Sequence, residues 1–291
     1  MGVPDLTASV PDQVGRRRQE ELVVPSGGRA ARRTPLGIPM AIYQVALGVV
    51  LIALWQISSG RFVKEIFISS PSLVAGRLVE LFGTGQIWGH LQITMIEFGA
   101  GYLIGAVLGV AFGVTLARTQ FLADLLEPYI MAFYSIPKIA IAPLFIIWLG
   151  INISPKIAIA AISAFFLVFV NAYSGVRNIN EEYVNLARIM GASRSHVTRR
   201  ILLPAAAPDI LLGLRTSVPY AMIGAVIGEF IASNQGLGYL ILQSAQLFDS
   251  ASLFAGILVL VTLVASVTQS LAWLERKAVR WRPVVDTKVA L

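Results

Sequence analysis

The 291-residue chain contains no cysteine, and charged side chains make up only 13% of it against 56% apolar. The missing thiols exclude disulfides and thiolate metal sites. A charge content below the ~25% of an ordinary soluble domain argues against a solvated globule. A Gly-Lys dipeptide is also absent. Without it, no phosphate-cradling loop of the G-x-x-x-x-G-K-S/T kind can form, so any ATP must be hydrolysed on another chain. No carboxylate pair, Ser/His arrangement or metal-ligand spacing stands out. Catalytic residues and metal ligands are therefore expected to be none, and His90 and His196 read as surface residues.

What fills the chain instead is long uncharged runs. Gly37–Ile57, Phe98–Ala117, Ile157–Val176 and Ser250–Leu274 carry no charge, and each has about the 20 residues that a helix needs to cross ~30 Å of hydrocarbon. Two further runs are interrupted: Leu125–Leu149 by Glu127 and Lys138, and Ile210–Ala232 by Arg215 and Glu229. Six spans are expected, in an all-α integral membrane protein. Pro137 and Pro143 should break the third span, which hydrocarbon tolerates only where neighbouring groups satisfy the freed carbonyls.

The net charge of +7 is topological, and no nucleic acid is implied. Arg16, Arg17, Arg18, Arg29, Arg32 and Arg33 precede the first span. Arg118, the 178–204 loop and the C-terminal tail fall on the same side, and the opposite side receives only Arg61, Lys64, Arg77 and Lys156. By the positive-inside rule both termini are cytoplasmic. Residues 1–35 are Arg-, Gly- and Pro-rich without apolar periodicity, and read as a disordered cytoplasmic tail rather than a signal peptide. Residues 36–282 form the membrane domain and 283–291 a second cytoplasmic tail. On the external side, Ser70-Pro71 opens a surface helix through Phe82, and a turn at Asn234–Gly238 leads into a short helix to about Phe248.

One polar island interrupts this pattern. Residues 178–204 read NINEEYVNLARIMGASRSHVTRRILLP. Asn180 should cap a helix whose first turn holds Glu181 and Glu182, where the helix dipole favours acids. Tyr183, Leu186, Ala187 and Met190 share one face. Gly191 should stop that helix, Ser193 cap the next, and Pro204 end it. Solvation does not require the apolar face; docking onto another chain would.

This loop resembles the signature of permease subunits of binding-protein-dependent ABC importers, in which E-A-A, three residues and Gly are followed by nine residues and Ile-x-Leu-Pro. Here Gly191 is followed by nine residues and Ile201-Leu202-Leu203-Pro204, the third signature position is Ala187, and the second is Leu186. Asn185 departs from the Glu of the first. Ile136-Pro137-Lys138-Ile139-Ala140, Pro143-Leu144-Phe145, Gly191-Ala192-Ser193, Gly213-Leu214-Arg215 and Glu229 ahead of Gly236-Leu237-Gly238 are similar to the nitrate/sulfonate/taurine/bicarbonate branch.

The resemblance implies a type I importer permease. A second permease copy completes the translocation pathway, and separate ATPase subunits carry ATP-Mg. An external solute-binding protein delivers a small anion or organic solute. Asn185, Leu186, Ala187, Gly191, Ala192, Ser193, Ile201, Leu203 and Pro204 become the ATPase-coupling residues. Pro137, Lys138 and Glu229 are candidates for the substrate pathway. A charge at the depth of Lys138 costs at least ~2.5–3.5 kcal/mol, so it should face the pathway or pair with Glu97 or Glu229. Glu97 itself reads as an interfacial charge. The rival expectation is a secondary transporter or channel that needs no ATPase.

Overall fold

In a computed structural model of the chain, residues 39–278 are described; the expected tails at 1–35 and 283–291 lie outside them. Contacts divide the chain into one unit up to Leu54 and a second from Trp55 onward. The first contains most of α1 (Met40–Ser58), a helix apolar along its whole length.

The second unit is a bundle of helices. After a short α2 (Glu65–Ile68), α3 (Pro71–Gly83) starts as expected, with Ser70 accepting from the Leu73 amide at 3.4 Å and Pro71 in the first turn. Then come α4 (Gln86–Ala117), α5 (Gln120–Ser135), α6 (Lys138–Leu149), α7 (Ser154–Arg177), α8 (Glu181–Ile189) and α9 (Arg194–Val197). One π-helical turn, Thr198–Leu202, leads into α10 (Leu203–Ala232), and α11 (Leu237–Gln246) and α12 (Ser250–Ala278) complete the fold. Among the described residues, five helices are long and apolar enough to cross a membrane, or six if the bent pair α5–α6 counts as one span. That matches the expected all-α membrane architecture.

Three boundaries differ from expectation. The second span begins at Gln86, not near Phe98, because partners distant in sequence accommodate His90 and Glu97. Of the two prolines expected to break the third, only Pro137 does: the halves meet at 91°, while Pro143 lies inside α6. Pro204 does not end a helix. It stands in the first turn of α10, where a missing amide proton is tolerated.

The core is a three-helix packing of α4, α7 and α10, with α12 added against α10. Phe98, Tyr102 and Ala106 of α4 meet Ala160 and Ala164 of α7 and Val218, Ala221, Met222 and Ala225 of α10. The α4–α7 seam rests on Gly101, Gly105, Gly109 and Gly113, one residue in every four. A Cβ at Gly105 would lie 2.3 Å from the Ala161 carbonyl oxygen, and one at Gly109 2.9 Å from that of Phe165. This is the small-residue packing that brings helix backbones together in lipid. The seam is not marked in the sequence, because from Phe98 to Ala117 α4 carries no charge on any side and so has no amphipathic face.

Candidate functional site

The 178–204 loop caps one end of the bundle. Asn180 Oδ1 accepts from the Glu182 amide at 2.9 Å, and Ser193 Oγ from the His196 amide at 3.3 Å. Both caps are those expected. Gly191 terminates α8 in the left-handed region at φ 83°, and a Cβ there would meet nothing within 4 Å. The apolar residues of α8 divide between two faces. Val184, Ala187 and Ala192 pack with Leu203 against a cluster of Val114, Val176, Val197, Leu202 and Ala206. Tyr183, Leu186, Ile189 and Met190 point away and are 64, 58, 83 and 80% exposed. The single apolar face read from the sequence is thus two: Ala187 is a bundle contact, and Ile189 belongs with the outward set. The spacing of Ile189 from Tyr183 and Leu186 could have identified it.

Asn185 is exposed, as is Ser193, while Leu203 is half-buried and Ile201 and Ala192 are partly covered. At the base of α10 the Leu203 amide reaches Thr198 O, an i to i−5 bond characteristic of a π-turn.

Lys138 stands at the α5–α6 break. Its ammonium donates to Tyr134 O at 2.6 Å and lies 4.8 Å from the Tyr134 ring centroid and 5.6 Å from that of Phe166. It thus bonds one of the carbonyls ahead of the Pro137 break and shields its charge on aromatic faces. It pairs with neither Glu97 nor Glu229.

Those two acids meet at the far end of the bundle, opposite the 178–204 loop. Glu97, expected at an interface, is fully buried and lies 3.2 Å from Lys156 Nζ, which also donates to Ser233 Oγ at 2.9 Å. Glu229 is also 0% exposed. Its Oε1 accepts from Thr94 Oγ1 at 2.6 Å, and its Oε2 from the Gly238 amide at 2.5 Å. Thr94 Oγ1 in turn accepts from the Leu237 amide at 2.8 Å, and His90 Nδ1 from the Gly236 amide at 3.1 Å. His90 therefore has a specific backbone partner, and Glu229 faces protein rather than open space. Beside them an open pocket of about 550 Å³ is lined by Glu97, Lys156, Asn152, Ser233 and Gln235 among others. Among the described residues no cluster of acids and histidines could hold a metal.

Residues 101–280 match the family of binding-protein-dependent transport system inner membrane components. The chain belongs to this family. It is 34% identical over 238 residues to a putative aliphatic sulfonates transport permease protein, SsuC, of Bacillus subtilis, covering 81% of this chain and 86% of that one. The riboflavin transport system permease RibX of Chloroflexus aurantiacus is 34% identical, covering 84% and 90%. The formylaminopyrimidine permease ThiX of Halalkalibacterium halodurans is 31% identical, covering 80% and 92%. Among solved structures, an inward-facing MetNI methionine ABC transporter chain shares the fold at TM-score 0.54 and 20% identity, covering 66% of this chain and 94% of that one. An alginate importer chain does so at 0.56 and 14%, covering 82% and 96%. The permease is thus a multi-pass inner-membrane subunit of an ABC importer with the type I fold, close to the sulfonate branch.

Proposed function

We propose that two copies of this permease form the pathway of an ATP-driven importer and that separate ATPase subunits, carrying ATP-Mg, dock on the 178–204 loop. The observation that carries this reading is the outward row of Tyr183, Leu186, Ile189 and Met190. Four large apolar side chains exposed on and just beyond a nine-residue helix favour a partner that covers them. Asn185 offers an amide on the same exposed surface. Ala187, Ala192 and Leu203 hold the loop on the bundle, and Gly191 and Ser193 shape the corner between α8 and α9. Ile201 and Pro204 join the corner to α10. Both termini and the loop face the cytoplasm, residues 36–282 are the membrane domain, and an external solute-binding protein presents substrate at the far end.

The substrate is a small anion or organic solute, with a sulfonate, nitrate or taurine as the leading candidates. Relatives named for sulfonates, formylaminopyrimidine and riboflavin support an organic solute. Pro137 and Lys138 contribute to the pathway. The break exposes Pro137, and the Lys138 ammonium keeps donors beyond the one given to Tyr134. Glu229 supports the pathway from behind rather than lining it.

Gly191→Asp tests the docking. Asp is among the residues that tolerate a left-handed backbone, and its side chain would enter open space, so the permease should insert and fold. Loss of co-purifying ATPase is the expected result. Unchanged ATPase retention and unchanged ATP-dependent uptake would remove the loop from coupling.

A further inference from the structure

The three first amides of α11 find no partner in α11 itself, and its cap residue, Gly236, has no side chain. A ten-residue helix is marginal on its own, and its unpaired amides are the groups that must be satisfied. Two of them are satisfied from other helices: Leu237 donates to Thr94 of α4, and Gly238 to the Glu229 carboxylate of α10. A carboxylate in this position also opposes the positive end of the α11 dipole. The Lys156–Glu97 pair, at 3.2 Å, lies beside this link. The two glycines of the turn make room for it: a Cβ at Gly236 would lie 2.3 Å from Glu229 Cδ, and one at Gly238 2.6 Å from Oε2.

Glu229 stands one turn before the end of α10, and α10 starts at the 178–204 loop. At 1.5 Å per residue its 30 residues span about 45 Å. We propose that Glu229 is a positioning residue that fastens α11 to the far end of α10, so that displacement of the loop is delivered across the membrane to α11. This rests on the importer reading above.

The experiment uses the absence of native cysteine. Gln246→Cys, at the exposed end of α11, is labelled with a membrane-impermeant maleimide. The sample is the complex of permease and ATPase in nanodiscs, without nucleotide or trapped with ATP and vanadate. The expected result is a labelling rate that differs between the two states with Glu229 present and becomes equal in Glu229→Ala, while vanadate trapping itself persists. Glu229→Cys with Gly238→Cys then replaces the polar link by a covalent one. The two Cβ positions would be 3.1 Å apart, against ~3.8 Å in a relaxed disulfide, so a small backbone shift suffices. Once oxidised, this pair should restore the difference, and it also decides the matter if the alanine variant fails to accumulate.

An unchanged difference in Glu229→Ala overturns the proposal. So does no difference with Glu229 present, or an oxidised pair that stays unresponsive. Absence of any ATPase on the unaltered permease would instead sink the importer reading. The yield of the 229–238 cross-link would still report how α10 and α11 are joined.

Discussion

Replacing Gly105 by Ala should destabilise the permease sharply, whereas the same change at Gly99 should not. Both residues lie in α4. A Cβ at Gly105 would sit 2.3 Å from the Ala161 carbonyl oxygen and 3.0 Å from Ala164 Cβ, while one at Gly99 would meet nothing within 4 Å. Each substitution gains up to ~1 kcal/mol of helical preference, so comparing the two variants cancels that gain. A carbon rests against a carbonyl oxygen at about 3.3–3.6 Å. To accept the methyl group of Gly105→Ala, therefore, α4 and α7 must part by about 1 Å along a seam with almost no side chains to absorb the strain. Overpacking of this kind costs about 1–3 kcal/mol, and the upper end applies because a backbone oxygen cannot rotate away. At roughly 2–4 °C per kcal/mol for a folded unit of 150–250 residues, Gly105→Ala should melt about 6–12 °C below Gly99→Ala. Tryptophan fluorescence during heating in a single detergent measures this. Equal melting temperatures would refute the backbone-contact seam.

Met190→Asp and Tyr183→Asp should leave that melting temperature unchanged, since both side chains are exposed, yet reduce ATPase retention in a pull-down. Lys138→Met should abolish ATP-dependent uptake of a sulfonate or nitrate; normal uptake would confine Lys138 to bonding the freed Tyr134 carbonyl. The link between α3 and α12 should be acid-labile. Burial raises the Asp249 carboxyl, but bonds from the Ser252 hydroxyl and amide, with the Arg77 charge, outweigh it and hold the carboxyl below its ordinary value. A carboxyl lowered by folding adds stability above its unfolded value of ~3.9 and loses it as pH falls through the folded one. Hydrogen exchange in α3, which reaches Asp249 through the 2.6 Å Arg77–Ser252 bond, should therefore rise only below about pH 4. Asp249→Asn should show the faster exchange at neutral pH as well.

The features that were legible in the sequence are those governed by neighbours in the chain. The Asn180 and Ser193 caps, the stop at Gly191 and the membrane-length runs follow from local spacing, and the structure has all of them. The pairing of Lys156 with Glu97 was not legible, because two charges 59 positions apart each read as surface groups until α4 and α7 bring them together. The partners of Glu229, a candidate for the pathway, were not legible for the same reason: Thr94 and Gly238 lie on two other helices. In α8, periodicity gave the correct helix but assigned Ala187 to the wrong side, since only packing against the bundle distinguishes a small inward residue from a large outward one.

The π-turn at Thr198–Leu202 has a consequence for the nine residues between Gly191 and Ile201. A helix turns about 100° per residue, and a π-turn adds one residue to the register. Deleting a single residue there would shorten the connection by only about 1.5 Å, but it would swing the row of Tyr183, Leu186, Ile189 and Met190 through more than a quarter-circle about the α10 axis. The spacing fixes a bearing more than a distance. A partner seated on that row would lose it by rotation, with every one of its contact residues still present.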